Sequence, residues 1–177
     1  MNLADRPSVH ANALVVGEAG VLIRGPSGAG KSSLAIALID EARSRGGYAA
    51  LVADDRVFLS AAHGRLVARG ALGFAGLVEQ RGEGLIRLEC EPCTCVRLIV
   101  DLPAPKTASP RWPEEDARTT QPLGIALPCL NIDLSLGVIH AARLILRKLG
   151  FDSLENVRQL VISLDHLAAM HKNVTGA

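Results

Sequence analysis

Gly25-Pro26-Ser27-Gly28-Ala29-Gly30-Lys31-Ser32 fits the pattern G-x-x-x-x-G-K-[ST], a glycine-rich loop that wraps a phosphate chain. Its flanks stand in the order the pattern requires. Gly20-Val21-Leu22-Ile23-Arg24 in front reads as a buried strand, and Ser33-Leu34-Ala35-Ile36-Ala37-Leu38-Ile39 behind reads as a helix. Glycines let successive backbone N–H groups turn toward one anion, and the following helix points its positive end at the same place. The run from Gly25 to Ser33 therefore predicts a nucleoside triphosphate site. In such a site Lys31 reaches the terminal phosphates as a point charge, and the Ser32 hydroxyl ligates the magnesium that bridges them.

Upstream of the loop, Ala13–Val16 and Val21–Ile23 read as two strands joined by the turn Gly17-Glu18-Ala19-Gly20. Downstream, the loop helix is expected to run to Arg45, where Gly46-Gly47 stop it and Arg43 and Arg45 suit its negative end. A strand at Ala49–Ala53 then delivers Asp54 and Asp55 to the loop's edge of the sheet, an arrangement resembling a Walker B site. Past the strand end the two acids can divide a task, one holding metal and the other meeting substrate. The plainer reading of each acid is a turn former or a partner for Arg56.

Arg56–Leu59 and Arg65–Ala68, around a turn at His63-Gly64, read as an antiparallel hairpin. That hairpin argues against a purely alternating β-α chain. Strands follow at Leu85–Leu88 and Val96–Leu102. From Pro103 to Pro122, around Trp112, the chain reads as a mobile surface loop, either a lid or partner contact or a plain solvated connection. The tail reads as helical over Ser135–Arg147 and again over Leu154–Met170. No repeat or break in composition divides the chain, so residues 1–177 are expected to form one α/β domain with a mixed sheet and flanking helices.

Nineteen basic against eighteen acidic residues leave a net charge of +1, which supplies no field for a polyanion and excludes nucleic acid as the expected partner. The longest uncharged stretch, Thr119–Ile132, is too short to span a bilayer and is broken by Pro122 and Pro128. Asp5 and Glu18 break the order of a signal peptide, so a cytoplasmic protein is expected, with no membrane association. Cys90, Cys93 and Cys95 form a C-x-x-C-x-C cluster with Cys129 far off. A metal site or redox pair is one reading, but with no second paired cluster the cysteines read as small reduced hydrophobes.

Four segments together resemble the catalytic C-terminal domain of the bacterial HPr kinase/phosphorylases. They are Ser8-Val9-His10, the loop with the strand before it, Val52-Ala53-Asp54-Asp55, and Val78-Glu79-Gln80-Arg81-Gly82-Glu83-Gly84-Leu85-Ile86, which is similar to the family signature L-E-x-R-G-x-G-I-I. The resemblance covers Ser8 to Ile86, about half of a chain of single-domain length. It implies a P-loop kinase-like fold and transfer of phosphate from ATP, with Mg2+, to a serine of the phosphotransferase-system carrier HPr, and in many members the reverse reaction.

By the same resemblance Lys31 and Ser32 hold phosphates and magnesium, Asp55 matches the proton acceptor, Glu79 a magnesium ligand and His10 a further active-site residue, with Asp54 supporting the metal. Family members are often hexamers, so a homo-oligomer is expected. The chain departs from the family in starting almost at the catalytic domain. It also lacks the later P-G-R-N segment: Leu123–Pro128 resembles the residues before it, but Asn131–Ser135 has no arginine, which bears on the reverse direction. Two other readings stay open: a P-loop kinase for another acceptor, and a nucleotide-binding regulator without catalysis, against which Asp55 argues because a sensor needs no base.

Overall fold

The computed structural model describes residues 8–71, 73, 75–80, 82–103 and 119–151. Its strands are β1 (Ser8–Val9), β2 (Ala11–Val16), β3 (Ala19–Arg24), β4 (Ala49–Ala53), β5 (Val57–Ala62), β6 (Arg65–Gly70), β7 (Leu77–Gln80), β8 (Gly84–Arg87), β9 (Cys93–Asp101), β10 (Thr119–Thr120) and β11 (Leu127–Asn131). The helices are α1 (Lys31–Ser44) and α2 (Val138–Lys148).

Nine strands form one mixed sheet in the order β1-β5-β6-β9-β3-β2-β4, with β11 on β9 and β10 on β11, while β7 and β8 form a separate hairpin. The central β3 and β9 are parallel. β2 runs antiparallel to both neighbours, β3 and β4. Along one edge β9 serves two partners: Cys93–Cys95 pair antiparallel with β6, and Ile99–Asp101 pair parallel with β11. Gly20 makes the close β3–β9 approach possible, since a Cβ there would lie 2.5 Å from the Cys95 carbonyl oxygen.

The alternating side chains of the central strands feed two cores. Val21 and Ile23 face α1 and α2, packing with Leu34, Leu38, Ile145 and Leu146. Leu22 faces the other way, into a second cluster with Val57, Leu66, Ala68 and Ile99 beneath the curled hairpin β5–β6. A fourteen-residue helix such as α1 is marginal in water by itself. Full burial of Leu34, Leu38 and Ile39, worth about 1.5–3 kcal/mol each, is what holds it.

The expected hairpin and strands 49–53 and 96–102 are present, and the loop helix stops one residue short of Arg45. Its end is a Schellman motif: Gly46, at φ 76°, donates to the Arg43 carbonyl at 2.8 Å, and Gly47 donates to that of Ala42 at 3.0 Å. Three expectations need correction. The second helix starts at Val138 rather than Ser135, because Gly137 sits at φ 96° and Leu134–Leu136 form a 3-10 turn. The segment up to Pro122 is not all loop, since Thr119–Thr120 pair with Leu127–Pro128. The signature segment holds strand β7, and Leu127–Asn131 is strand β11. The residues 104–118, including Trp112, and the expected helix at 154–170 lie outside the described residues.

Candidate active site

Because β2 runs against β3 and β4, its start lies at the edge where those two strands end. His10 and Asn12 therefore meet the glycine loop that follows β3 and the acids that follow β4. The loop keeps its expected strained backbone, with Gly25, Gly28 and Gly30 at φ 155°, 79° and 93°. A Cβ on Gly25 would lie 3.0 Å from Leu102, and one on Gly30 would lie 2.7 Å from Leu134.

Lys31 opens α1 and is only 4% exposed. Its ammonium donates to the carbonyls of Gly25 and Pro26, each at 3.2 Å, and lies 2.8 Å from His10 Nε2. An ammonium can only donate, so Nε2 is the bare nitrogen and the His10 proton sits on Nδ1. Nδ1 in turn lies 3.7 Å from Asp55 Oδ1. Asp55 adopts φ 60°, a left-handed conformation that aspartate tolerates.

Asp54 takes the other direction. It accepts the Ser32 hydroxyl at 2.9 Å and the Asn12 amide at 2.5 Å, both on Oδ1. Burial pushes its carboxyl above the ordinary range; the Ser32 hydroxyl, the Glu79 backbone and the Asn12 amide offset part of that push, and Asp55 adds repulsion. Ser32 and Asp54 supply oxygen donors only, which suits a hard divalent cation. Among the described residues no three His, Cys, Asp or Glu side chains are gathered to hold a metal by themselves. A cation on this pair would complete its shell with water and phosphate oxygens, the manner of Mg2+.

A cavity of about 300 Å³ lies in front of these groups, lined by Ser27, Gly28, Gly30, Lys31, Ser32, Ser33 and Ile36, by Asp55, and by Glu79 and Gln80 of β7. Of the residues expected from the sequence, Gly25 and Pro26 are not among the lining residues; their carbonyls accept from Lys31. Ala29 closes the loop by donating to the Pro26 carbonyl at 3.2 Å. His10 and Asp54 are also not among the lining residues; His10, exposed, touches Lys31, and Asp54 accepts from Ser32. Glu79 is exposed at the rim, and Arg81 lies outside the described residues.

Sequence reading missed Asn12, Gln80 and the pair Arg24–Asp101. Asn12 had a signal, being the one polar residue in the apolar run Ala11–Val16. The Arg24 guanidinium grips the Asp101 carboxylate at 2.6 and 2.7 Å, and the Cys129 thiol donates to the same carboxylate at 3.3 Å. Burial and the Asp101 charge push that thiol up to about 11. All four cysteines are free, and Cys93 and Cys95 project from one face of β9.

The fold and the site define a P-loop domain of the kinase-like kind, with a phosphate loop, an oxygen pair for a cation and an acid–imidazole pair at one sheet edge. The model of the HPr Serine kinase C-terminal domain matches residues 1–145, and the chain belongs to that family. It is 26% identical over 144 residues to an HPr kinase/phosphorylase of Malacoplasma penetrans (strain HF-2), covering 76% of this chain. It spans just under half, 46%, of that relative's length. The Hpr(Ser) kinase/phosphatase from Coxiella burnetii has a similar structure, with a TM-score of 0.66 and 27% identity over 84% of this chain and 100% of that one. Among the described residues no helix is long and apolar enough to cross a membrane.

Proposed function

We propose that the chain is a protein serine kinase that transfers the terminal phosphoryl group of ATP to a serine of an HPr-like phosphocarrier protein. The observation that carries this reading is the convergence of Lys31, the Ser32–Asp54 pair and the Asp55–His10 pair on one cavity. Phosphoryl transfer asks for positioning and neutralised charge, which the loop N–H groups and Lys31 supply. Mg2+, when bound at Ser32 and Asp54, supplies further charge neutralisation at the phosphates.

Asp55, at the cavity wall, accepts the proton of the incoming serine hydroxyl. His10 accepts from Lys31 at its bare Nε2 and turns its Nδ1–H toward Asp55 at 3.7 Å, so it steadies the ammonium beside the base. Glu79, exposed at the cavity rim, would serve as a further ligand for the metal. The family match over residues 1–145 and the main sheet support one catalytic domain over that span, and the proposal extends it to residues 1–177. The test is transfer from labelled ATP to purified HPr and to HPr with its acceptor serine replaced by alanine; no transfer to either protein would refute the reading.

The reverse reaction is proposed to be weak. It gathers phosphoserine and an attacking inorganic phosphate at one site, with serine and pyrophosphate as products, and that negative charge calls for cations beyond Lys31. Asn131–Ser135 supplies none, and Asp133 is occupied in accepting the Ser135 N–H at 2.9 Å. Arg24, one arginine at that sheet edge, is already paired with Asp101, while Arg81, Lys106, Arg111 and Arg118 lie outside the described residues. Incubating serine-phosphorylated HPr with the enzyme and phosphate should release pyrophosphate far more slowly than the forward reaction runs.

A further inference from the structure

We infer that Asn12 is the positioning residue of the metal pair and of the base together, an inference that rests on the proposed nucleotide site. Asn12 is completely buried, yet its side chain is polar and lies in a run of apolar neighbours. A buried amide without partners would cost several hydrogen bonds' worth of desolvation, so its contacts decide what it is for.

Those contacts all lead to the site. The amide nitrogen donates to Asp54 Oδ1 at 2.5 Å and approaches Ser32 Oγ at 3.3 Å. The amide oxygen accepts the backbone N–H of Asp55 at 3.2 Å. Neither bond set could be made from another strand. β2 is the strand between β3 and β4, so a side chain at its start reaches the loop serine on one side and the two acids on the other.

The Ser32 oxygen then has defined duties. Its proton goes to Asp54, one lone pair faces the Asn12 amide, and the other is left for a cation. Asp54 Oδ1 is held by two side-chain donors, Asn12 and Ser32, which fixes the orientation of the carboxylate. On the other side, the bond to the Asp55 N–H clamps the backbone just where it enters the left-handed region, so Asp55 turns toward His10 and the cavity instead of following Asp54. One amide thus sets the rotamer of the serine, the orientation of one acid and the backbone of the other.

The experiment uses the full chain and a fluorescent ADP analogue, with binding measured across an Mg2+ titration and without any acceptor protein. Asn12→Leu keeps the branched outline in a somewhat bulkier side chain and removes all three contacts. It should raise the Mg2+ concentration for half-maximal nucleotide binding at least tenfold, while binding in excess chelator changes less than threefold because the loop and Lys31 are untouched. Asn12→Thr keeps one hydroxyl donor and should fall between, which also covers the case in which Asn12→Leu fails to fold. Combined with Ser32→Ala, Asn12→Leu should add little to the Mg2+ requirement, because both act on the same oxygen pair.

An unchanged Mg2+ requirement in a folded Asn12 variant would overturn the inference, as would an equal loss of binding with and without Mg2+. Failure of the nucleotide site itself would look different: the wild-type chain would then bind the analogue in neither condition.

Discussion

Lys31 Nζ lies 2.8 Å from His10 Nε2, so the most buried charge at the site leans on an imidazole and two loop carbonyls, with no carboxylate among its hydrogen-bond partners. A cation held this way keeps its full charge available to a phosphate, at the cost of burial with no ion-pair partner among the described residues.

Replacing Lys31 tests that arrangement. Lys31→Ala should lower the rate of phosphoryl transfer by about a hundredfold or more, since it removes the ammonium that lines the cavity. Nucleotide affinity should also fall, and a stopped-time assay with labelled ATP beside an analogue titration measures both.

The two adjacent acids should separate by phenotype. Asp55→Asn keeps shape and polarity but removes the proton acceptor, so it should leave nucleotide binding within about threefold and abolish transfer to the serine. Asp54→Asn should raise the Mg2+ requirement instead. Magnesium titrations of both variants decide the matter, and interchanged phenotypes would exchange the roles.

Asp54 also makes a prediction about stability. Its carboxyl is raised in the folded protein, mainly by burial, so the folded state binds that proton more tightly than the unfolded chain does. Its contribution is fully present below the unfolded value near 3.8 and is lost as pH rises through the higher folded value. In chelator, Asp54→Asn should therefore melt at a higher temperature than wild type at pH 7, with the gap closing as pH falls toward 4. Added Mg2+ should narrow the gap by stabilising the wild type more than the variant. Melting curves at several pH values, with and without Mg2+, test the sign.

The centre of the sheet has its own test. Gly20→Ala would set a methyl group 2.5 Å from the Cys95 carbonyl oxygen and 2.7 Å from the Thr94 side chain. Backbone on the far side of a parallel pair cannot yield cheaply, so the cost should be about 2–4 kcal/mol, read as a lower urea midpoint with an unchanged slope.

What was legible in the sequence is what local pattern encodes. The glycine loop needs positive φ at fixed places, the helix after it ends on Gly46-Gly47, and the hairpin at 57–70 declares itself by alternation around His63-Gly64. The acids after β4 could be placed because a strand ending at the loop's edge leaves few alternatives. β7 was hidden because four residues with one buried side chain, Val78, carry no period, and its partner β8 is mostly exposed. β11 was hidden by Pro128 and by its pairing with β9, some thirty residues earlier in the chain. Asn12 was passed over because its importance comes from three partners that only the antiparallel placement of β2 brings within reach.

The parallel pairing of β3 with β9 also sets a timetable for the newborn chain. β3, which leads into the glycine loop, has one edge covered early by β2, but its other edge waits for β9. That strand begins about 70 residues further on, about 3–14 s of ribosomal synthesis at ordinary speeds. Throughout that interval an apolar strand, Ala19–Arg24, presents unpaired backbone groups to whatever else is emerging nearby. A variant that weakens β9 would therefore reduce the yield of folded protein in the cell by more than its equilibrium stability foretells.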